Sequence, residues 1–282
     1  MSRIRLFFLT LLAMIAFAGN SLLCRLALKH TSIDPANFTN IRIISGALAL
    51  GLIMRMRDGA HSVAGNWPSA LALFIYAAGF SYAYLSLSAA TGALILFGTV
   101  QATMIGYGLW TGERLGTRQS AGLICAFSGL AALLLPGLST PSLPGSLLML
   151  SAGVAWGVYS LRGKGAGDPI HVSAGNFLRA ASLAEALSVV TLPPGSLDRS
   201  GFWYAVFSGA LASGVGYAIW YTALRGLTAA IAAVVQLNVP ILTAAGGIVF
   251  LDESITLRLM IASTAILGGM ALVIIDNKPA KC

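Results

Sequence analysis

Apolar stretches of about 20 residues recur along the whole of this sequence, and nothing else in it restricts the fold so tightly. Each is long enough to cross a ~30 Å hydrocarbon core as a helix. We read ten, over about 6–28, 35–54, 68–87, 90–110, 118–135, 143–161, 170–191, 201–223, 229–251 and 257–275, with ends good to a few residues. The connections between them are short. Only 9% of the residues are charged against 57% hydrophobic, with a mean hydropathy of +0.84. A soluble domain carries roughly 25% charge, so this chain cannot cover a water-facing surface. The formal charge of +8 then belongs to cytoplasmic loops and not to a nucleic-acid interface.

An internal match sets the architecture. Gly214 to Glu253 holds two apolar helices joined near Arg225 and ending at Asp252-Glu253, and Phe80 to Glu113 follows the same plan. Aligning the two glutamates gives an offset of 253 − 113 = 140. At that offset Leu87-Ser88-Ala89-Ala90 falls on Leu227-Thr228-Ala229-Ala230, Arg118 on Arg258 and Gly129 on Gly269. Asp34-Pro35 and Asp168-Pro169 open corresponding helices, where Asp can cap and Pro can fill the first helical position. Arg42-Ile-Ile-Ser45 then matches Arg179-Ala-Ala-Ser182. A unit of five helices is odd in number, so the second copy enters from the opposite face. The expected fold is an all-α integral membrane protein, ten transmembrane helices as two inverted five-helix repeats. The repeats span residues 1–137 and 138–282, with the junction between Leu135-Pro136-Gly137 and Pro144-Gly145.

Charge bias orients the chain. With the N-terminus inside, eleven Lys and Arg lie on the inner side (Arg3, Arg5, Arg55, Arg57, Arg114, Arg118, Arg162, Lys164, Arg225, Lys278, Lys281). Four lie outside (Arg25, Lys29, Arg199, Arg258), which makes both termini cytoplasmic. Arg3 and Arg5 ahead of an apolar run and Ala16-Phe17-Ala18 imitate a signal peptide, but the run continues to Leu28, so we expect an uncleaved first helix.

Charge within the bilayer costs ~2.5–3.5 kcal/mol, so intramembrane ionisable groups mark cavities or partners. Arg42 and Arg179 either cap neighbouring carbonyls or attract an anionic group such as a carboxylate. Glu185 is either a proton-coupling site or an acid bonded to a neighbouring helix; a pair with Arg179, about 120° away around the helix, is disfavoured. Pro240 should kink the ninth helix and free a carbonyl, with the amides of Gln236 and Asn238 beside the break. Gln101 is the nearest polar group in the fourth helix. Tyr217, Trp220, Tyr221 and Leu224 share one face of the eighth helix, with Phe80, Ser81, Tyr82 and Tyr84 at or near equivalent places in the third. Trp156 and Tyr159 stand opposite Asn20. Rings with polar tips suit a pocket for aromatic or cationic ligands, or else an interfacial belt or plain core. Gly214 and Gly216 join Pro240 as flexing points. Small residues four apart (Gly209 and Ser213, Gly122 and Ala126) permit close helix packing, within the chain or between copies.

Chemistry of other kinds finds no foothold. No nucleophile elbow, P-loop, HExxH or metal-ligand cluster occurs, and Cys24, Cys125 and Cys282 form no framework. We expect no enzyme, cofactor or metal. The partners are a small-molecule substrate and the lipid bilayer, with a homo-oligomer or a monomer equally open.

The sequence resembles the EamA family of the drug/metabolite transporter superfamily across nearly its whole length. The family's first-helix pattern is similar to Phe17-Ala-Gly-Asn20 followed by Arg25, and its sixth-helix pattern to Ala155-Trp156-Gly-Val-Tyr159-Ser-Leu-Arg162. Its second-helix arginines match Arg42 and Arg179, and its proline followed by a glutamate matches Pro240 and Glu253. Val100 stands where the first repeat commonly has proline. The resemblance implies a central cavity lined by helices 1–4 and 6–9, with 5 and 10 peripheral. It also implies export of small metabolites across a bacterial inner membrane. The aromatic-rich set is similar to YddG-type aromatic amino-acid exporters. A carrier of amino acids by alternating access would hold the side chain with Tyr82, Trp156, Tyr217 and Tyr221, and the polar ends with Asn20, Gln101, Gln236 and Asn238. The rival within transport is a broad exporter of cationic compounds that uses Glu185, and outside it a membrane scaffold, sensor or embedded enzyme.

Overall fold

The computed structural model describes residues 2–58, 64–112, 116–135, 140–163, 166–191, 198–224, 226–227 and 235–275. Among them every regular element is helical. We number the helices α1 (Arg3–His30), α2 (Pro35–Asp58), α3 (Trp67–Ala83), α4 (Ala89–Trp110), α5 (Thr117–Leu134), α6 (Leu143–Gly163) and α7 (Pro169–Val190). The eighth, α8, is continuous in three parts: α-helical Arg199–Val206, a π-helical Phe207–Val215, and α-helical Gly216–Leu224. Then follow α9 (Asn238–Leu251) and α10 (Leu257–Ile275). By length and composition α1, α2, α4, α6 and α8 are long and apolar enough to cross a bilayer, and α9 and α10 are shorter apolar helices. Large apolar side chains cover the outside, with Trp110 86% and Val249 70% exposed, as a lipid-facing surface requires. This is an all-α, multi-pass membrane protein.

Local chemistry explains where the helices begin. Asp34 accepts from the N–H groups of Ala36 and Asn37, and Asp168 from those of Ile170 and His171, so both Asp-Pro openings cap as expected. Ser88 caps α4 and Asn66 caps α3. α9 begins at Asn238 after a turn at Leu237, which places Pro240 in its first turn, where no helical hydrogen bond is lost. The break therefore falls three residues before the proline instead of at mid-helix. The expected start of that helix near 229 lies outside the described residues, as do Glu113, Arg114, Pro136, Gly137, Lys164, Arg225, Lys278 and Lys281.

Packing follows the internal match. α1 packs on α9 as α6 does on α4, α3 on α6 as α8 does on α1, and α3 on α7 as α8 does on α2. α2 with α7, α4 with α9 and α5 with α10 are pairs that exchange into themselves. Exchanging each helix for the one five places along therefore preserves these contacts. α5 and α10 form a seam of their own beside the rest. There a Cβ on Gly122 would lie 2.5 Å from the Gly269 carbonyl oxygen, so only glycine permits the approach. The small residues of α5 and α8 thus serve packing inside the chain: Gly209 is seated against Ser45 and the Arg42 carbonyl of α2.

Both ends of the bundle are tied. At the far end, which holds the turns after α1, α3 and α9, Arg25 pairs with Glu253 at 3.1 Å and donates to the carbonyls of Tyr84 (2.7 Å) and Leu85 (3.2 Å). Glu253 also accepts the Ala89 N–H at 2.7 Å, and Lys29 donates to the Leu251 carbonyl at 3.0 Å. At the near end Arg57 pairs with Asp168 at 2.8 Å, and Arg162 donates to Ser69 and Asn66.

Candidate functional site

Between these ties lies a cavity of about 20 Å³, room for roughly one water. Its wall comes from five helices. α1 supplies Phe17 and Asn20, α3 Tyr76 and Phe80, and α4 Leu96 and Phe97. α6 supplies Trp156, and α8 supplies Ala212 and Tyr217. Residues from both halves of the chain therefore share one wall. The rings fill the space themselves: the Trp156 centroid lies 4.7 Å from Tyr76 and 5.2 Å from Tyr217, with Phe17 edge-on to Tyr217 at 6.0 Å. Contacts of that kind contribute about 0.5–1.5 kcal/mol each beyond the area they bury.

A polar thread runs along one side. Ser208 donates to Asn20 Oδ1 at 2.6 Å, Asn20 Nδ2 donates to Tyr76 Oη at 3.2 Å, and Arg42 Nη2 donates to the same oxygen at 2.9 Å. Arg42 is 2% exposed, and its guanidinium lies 5.2 Å from the Tyr76 ring centre and 4.8 Å from that of Phe80. Its Nη1 has no hydrogen-bond partner. The wide turns of α8 shape this corner: Ser208 and Ala212 both sit in the π-helical stretch, and Ser213 donates to the Ser208 carbonyl five residues back. π-helical insertions are common at functional sites because they re-aim side chains.

The profile of the EamA-like transporter family matches residues 143–275, from the start of α6 to the end of α10. An uncharacterized protein of Pseudomonas aeruginosa is 54% identical over 96% of this chain and 94% of its own length. The chain belongs to the EamA-like transporter family. Two further relatives carry transporter names. The uncharacterized transporter YoaV of Bacillus subtilis is 22% identical over 84% of this chain and 86% of its own, and an uncharacterized transporter of Archaeoglobus fulgidus is 27% identical over 86% and 88%. A crystal structure with 21% identity superposes with a TM-score of 0.69 over 96% of this chain and 98% of that one, a likeness of fold. The EamA resemblance read from the first, second and sixth helices is borne out at the level of the family, and with it a small-molecule transporter of the membrane.

Within this EamA-like bundle the expected residues divide. Asn20, Trp156 and Tyr217 line the cavity, and Arg42 stands behind its Tyr76–Phe80 wall. Tyr221 is half-buried one turn beyond Tyr217, edge-on to it at 6.4 Å, and Gln101 is buried one turn beyond Phe97; neither reaches the wall. Tyr82 is turned toward Asp34 and Thr191. Six residues separate it from Tyr76, about 120° of helix, so it leaves the face that Tyr76 and Phe80 share. Gln236 is half-buried outside the wall, and Asn238 is exposed and donates to the Val235 carbonyl at 3.0 Å. Arg179 donates to the carbonyls of Ala64 (3.0 Å) and Gly175 (2.9 Å), the capping alternative. Glu185 is exposed and accepts from Asn40 at 2.6 Å across the α2–α7 seam, away from the cavity. Gly214 lies inside the π-helical stretch and Gly216 opens the helical turn after it. Tyr76 and Ser208 were not foreseen. Tyr76, Phe80 and Tyr84 stand four apart on one face of the third helix, a signal the sequence does carry.

Proposed function

We propose that this chain is a secondary transporter of the bacterial inner membrane that exports amino acids, aromatic ones included, by alternating access between inverted repeats 1–137 and 138–282. Both termini face the cytoplasm in this reading, so the far end is the outer one. The observation that carries it is the single wall of rings drawn from both halves, with the polar Ser208–Asn20–Tyr76 thread at one side. An aromatic side chain can replace one of these rings against the others, while the thread offers donors and acceptors to the polar end. Small-molecule sites usually measure ~300–1,000 Å³, so a cavity of about 20 Å³ must spread its rings to admit cargo. Weakening the far-end and near-end ties in turn supplies the two openings. The rival reading as a carrier of cations through Glu185 is weaker, because that carboxylate bonds Asn40 at the α2–α7 seam and no Asp or Glu stands in the cavity wall.

Liposomes loaded with one amino acid and given a labelled panel outside test the proposal. Labelled aromatic amino acids should accumulate by exchange and be competed by unlabelled ones. Trp156→Ala should lower that uptake about tenfold, the equivalent of roughly 1.4 kcal/mol of lost ring contact. Exchange confined to drugs or other metabolites would remove the substrate assignment.

A further inference from the structure

Among the described residues Arg42 is a buried charge that no carboxylate answers. Its guanidinium is buried among apolar and aromatic groups, and the ionisable side chains facing it are Tyr76, Cys24 and Tyr217, with no carboxylate among them. A cation in such a medium is costly unless an anion or a full set of hydrogen bonds answers it. Two rings and one phenol oxygen answer Arg42 in part, and Nη1 is left bare. Tyr76 Oη receives hydrogen bonds from both Arg42 and Asn20, so this corner holds more donors than acceptors. The matched arginine of the second half shows the contrast: Arg179 is only partly buried, and its Nη1 donates to two backbone carbonyls. The two positions agree in sequence and differ in whether they have been supplied with acceptors.

We infer that Arg42, directly behind the Tyr76–Phe80 wall, becomes with Tyr76 a carboxylate-recognising corner when those rings part for cargo, and that the site selects its cargo as an aromatic carboxylate whose amino group is dispensable. The inference rests on the cavity being the substrate site. Guanidinium meets a carboxylate with two parallel N–H···O bonds, and the bare Nη1 beside the engaged Nη2 is the donor such a fork still has to offer. The opposite charge finds no counterpart, since no acid lines the cavity among the described residues. An α-ammonium group is therefore tolerated through Asn20 and Ser208 and not required.

Ligand-induced shifts in melting temperature of the purified protein, titrated with four probes, decide this. L-Phenylalanine and 3-phenylpropionate should bind, while phenethylamine and L-phenylalaninamide bind about tenfold more weakly or not at all. Arg42→Gln should erase the preference, and Arg42→Lys should keep part of it. If Arg42→Gln does not fold, Tyr76→Phe provides the second variant and should narrow the gap. Equal binding of acids and amines to the wild type, no binding of either acid, or an undiminished preference in folded Arg42→Gln overturns the inference. Binding of 3-phenylpropionate without amino-acid exchange in liposomes leaves the carboxylate corner standing and removes amino-acid export. Phenylalanine exchange with equal binding of the amines does the reverse.

Discussion

Single ion pairs tie the two ends of this bundle together, and they do so with different strengths. The Arg25 and Glu253 side chains are 14% and 10% exposed, so water screens their pair little. Glu253→Gln leaves Arg25 its two backbone carbonyls and takes away the charge, a loss of about 1.5–3 kcal/mol from the closed far end. Leu87, 1% exposed beside that tie, reports on it. As a cysteine in a background freed of Cys24, Cys125 and Cys282, it should react several-fold faster with an impermeant maleimide when Glu253 is Gln. An unchanged rate would mean that the pair does not hold that end. At the near end Arg57 and Asp168 are 36% and 32% exposed, and such a pair contributes about 1 kcal/mol at most. Partial burial alone would raise the Asp168 carboxyl, but the Arg57 hydrogen bond, the His171 and Ile170 N–H groups and the Arg57 charge together hold it below its usual value. A lowered folded value means stability that is complete above the unfolded pKa and fades as pH falls through the folded one. Asp168→Asn, which keeps a good capping group, should melt about 2–4 °C lower near neutrality. The two melting temperatures should converge in acid; a constant gap at every pH would assign the loss to capping alone.

Among the elements, α5 and α10 stand apart from the rest. Their backbones touch at Gly122 and Gly269, and neither helix contributes to the cavity wall. Gly122→Val should overpack the seam at a cost of about 1–3 kcal/mol, seen as a lower melting temperature. Protein that survives should keep the wild-type ranking of acids over amines, and an altered ranking would show that the seam reaches the site. α8 has the opposite character. Its π-helical stretch is not legible in composition; within it Gly209 seats against the Arg42 carbonyl and Ser208 reaches Asn20. Both partners lie on other helices. The stretch turns α8 so that Ala212 and Tyr217 reach the same cavity, although Tyr217 lies beyond its end.

Across the whole molecule, what the bilayer demands was legible and what neighbours decide was not. Apolar length and the match at offset 140 are properties of the chain alone, and the ten helices and their exchangeable contacts follow them. Asn20, Trp156 and Tyr217 could be picked out because a polar tip or a large ring in an apolar helix needs a partner. Glu185 and Tyr82 could not be placed, since counting residues gives depth along a helix but not which helix faces that side. Arg42 and Arg179 look alike in sequence, and only their neighbours separate them: the Ala64 and Gly175 carbonyls beside Arg179, the Tyr76 and Phe80 rings beside Arg42. The cavity then says something about traffic. Its wall is drawn from helices of both halves of the chain, with about 20 Å³ between the rings. A passenger of ordinary size needs many times that volume, so on the proposed reading neither half makes room alone. Each crossing is then a joint stroke of the two, and a bolt that locked either half in place would stop the flow.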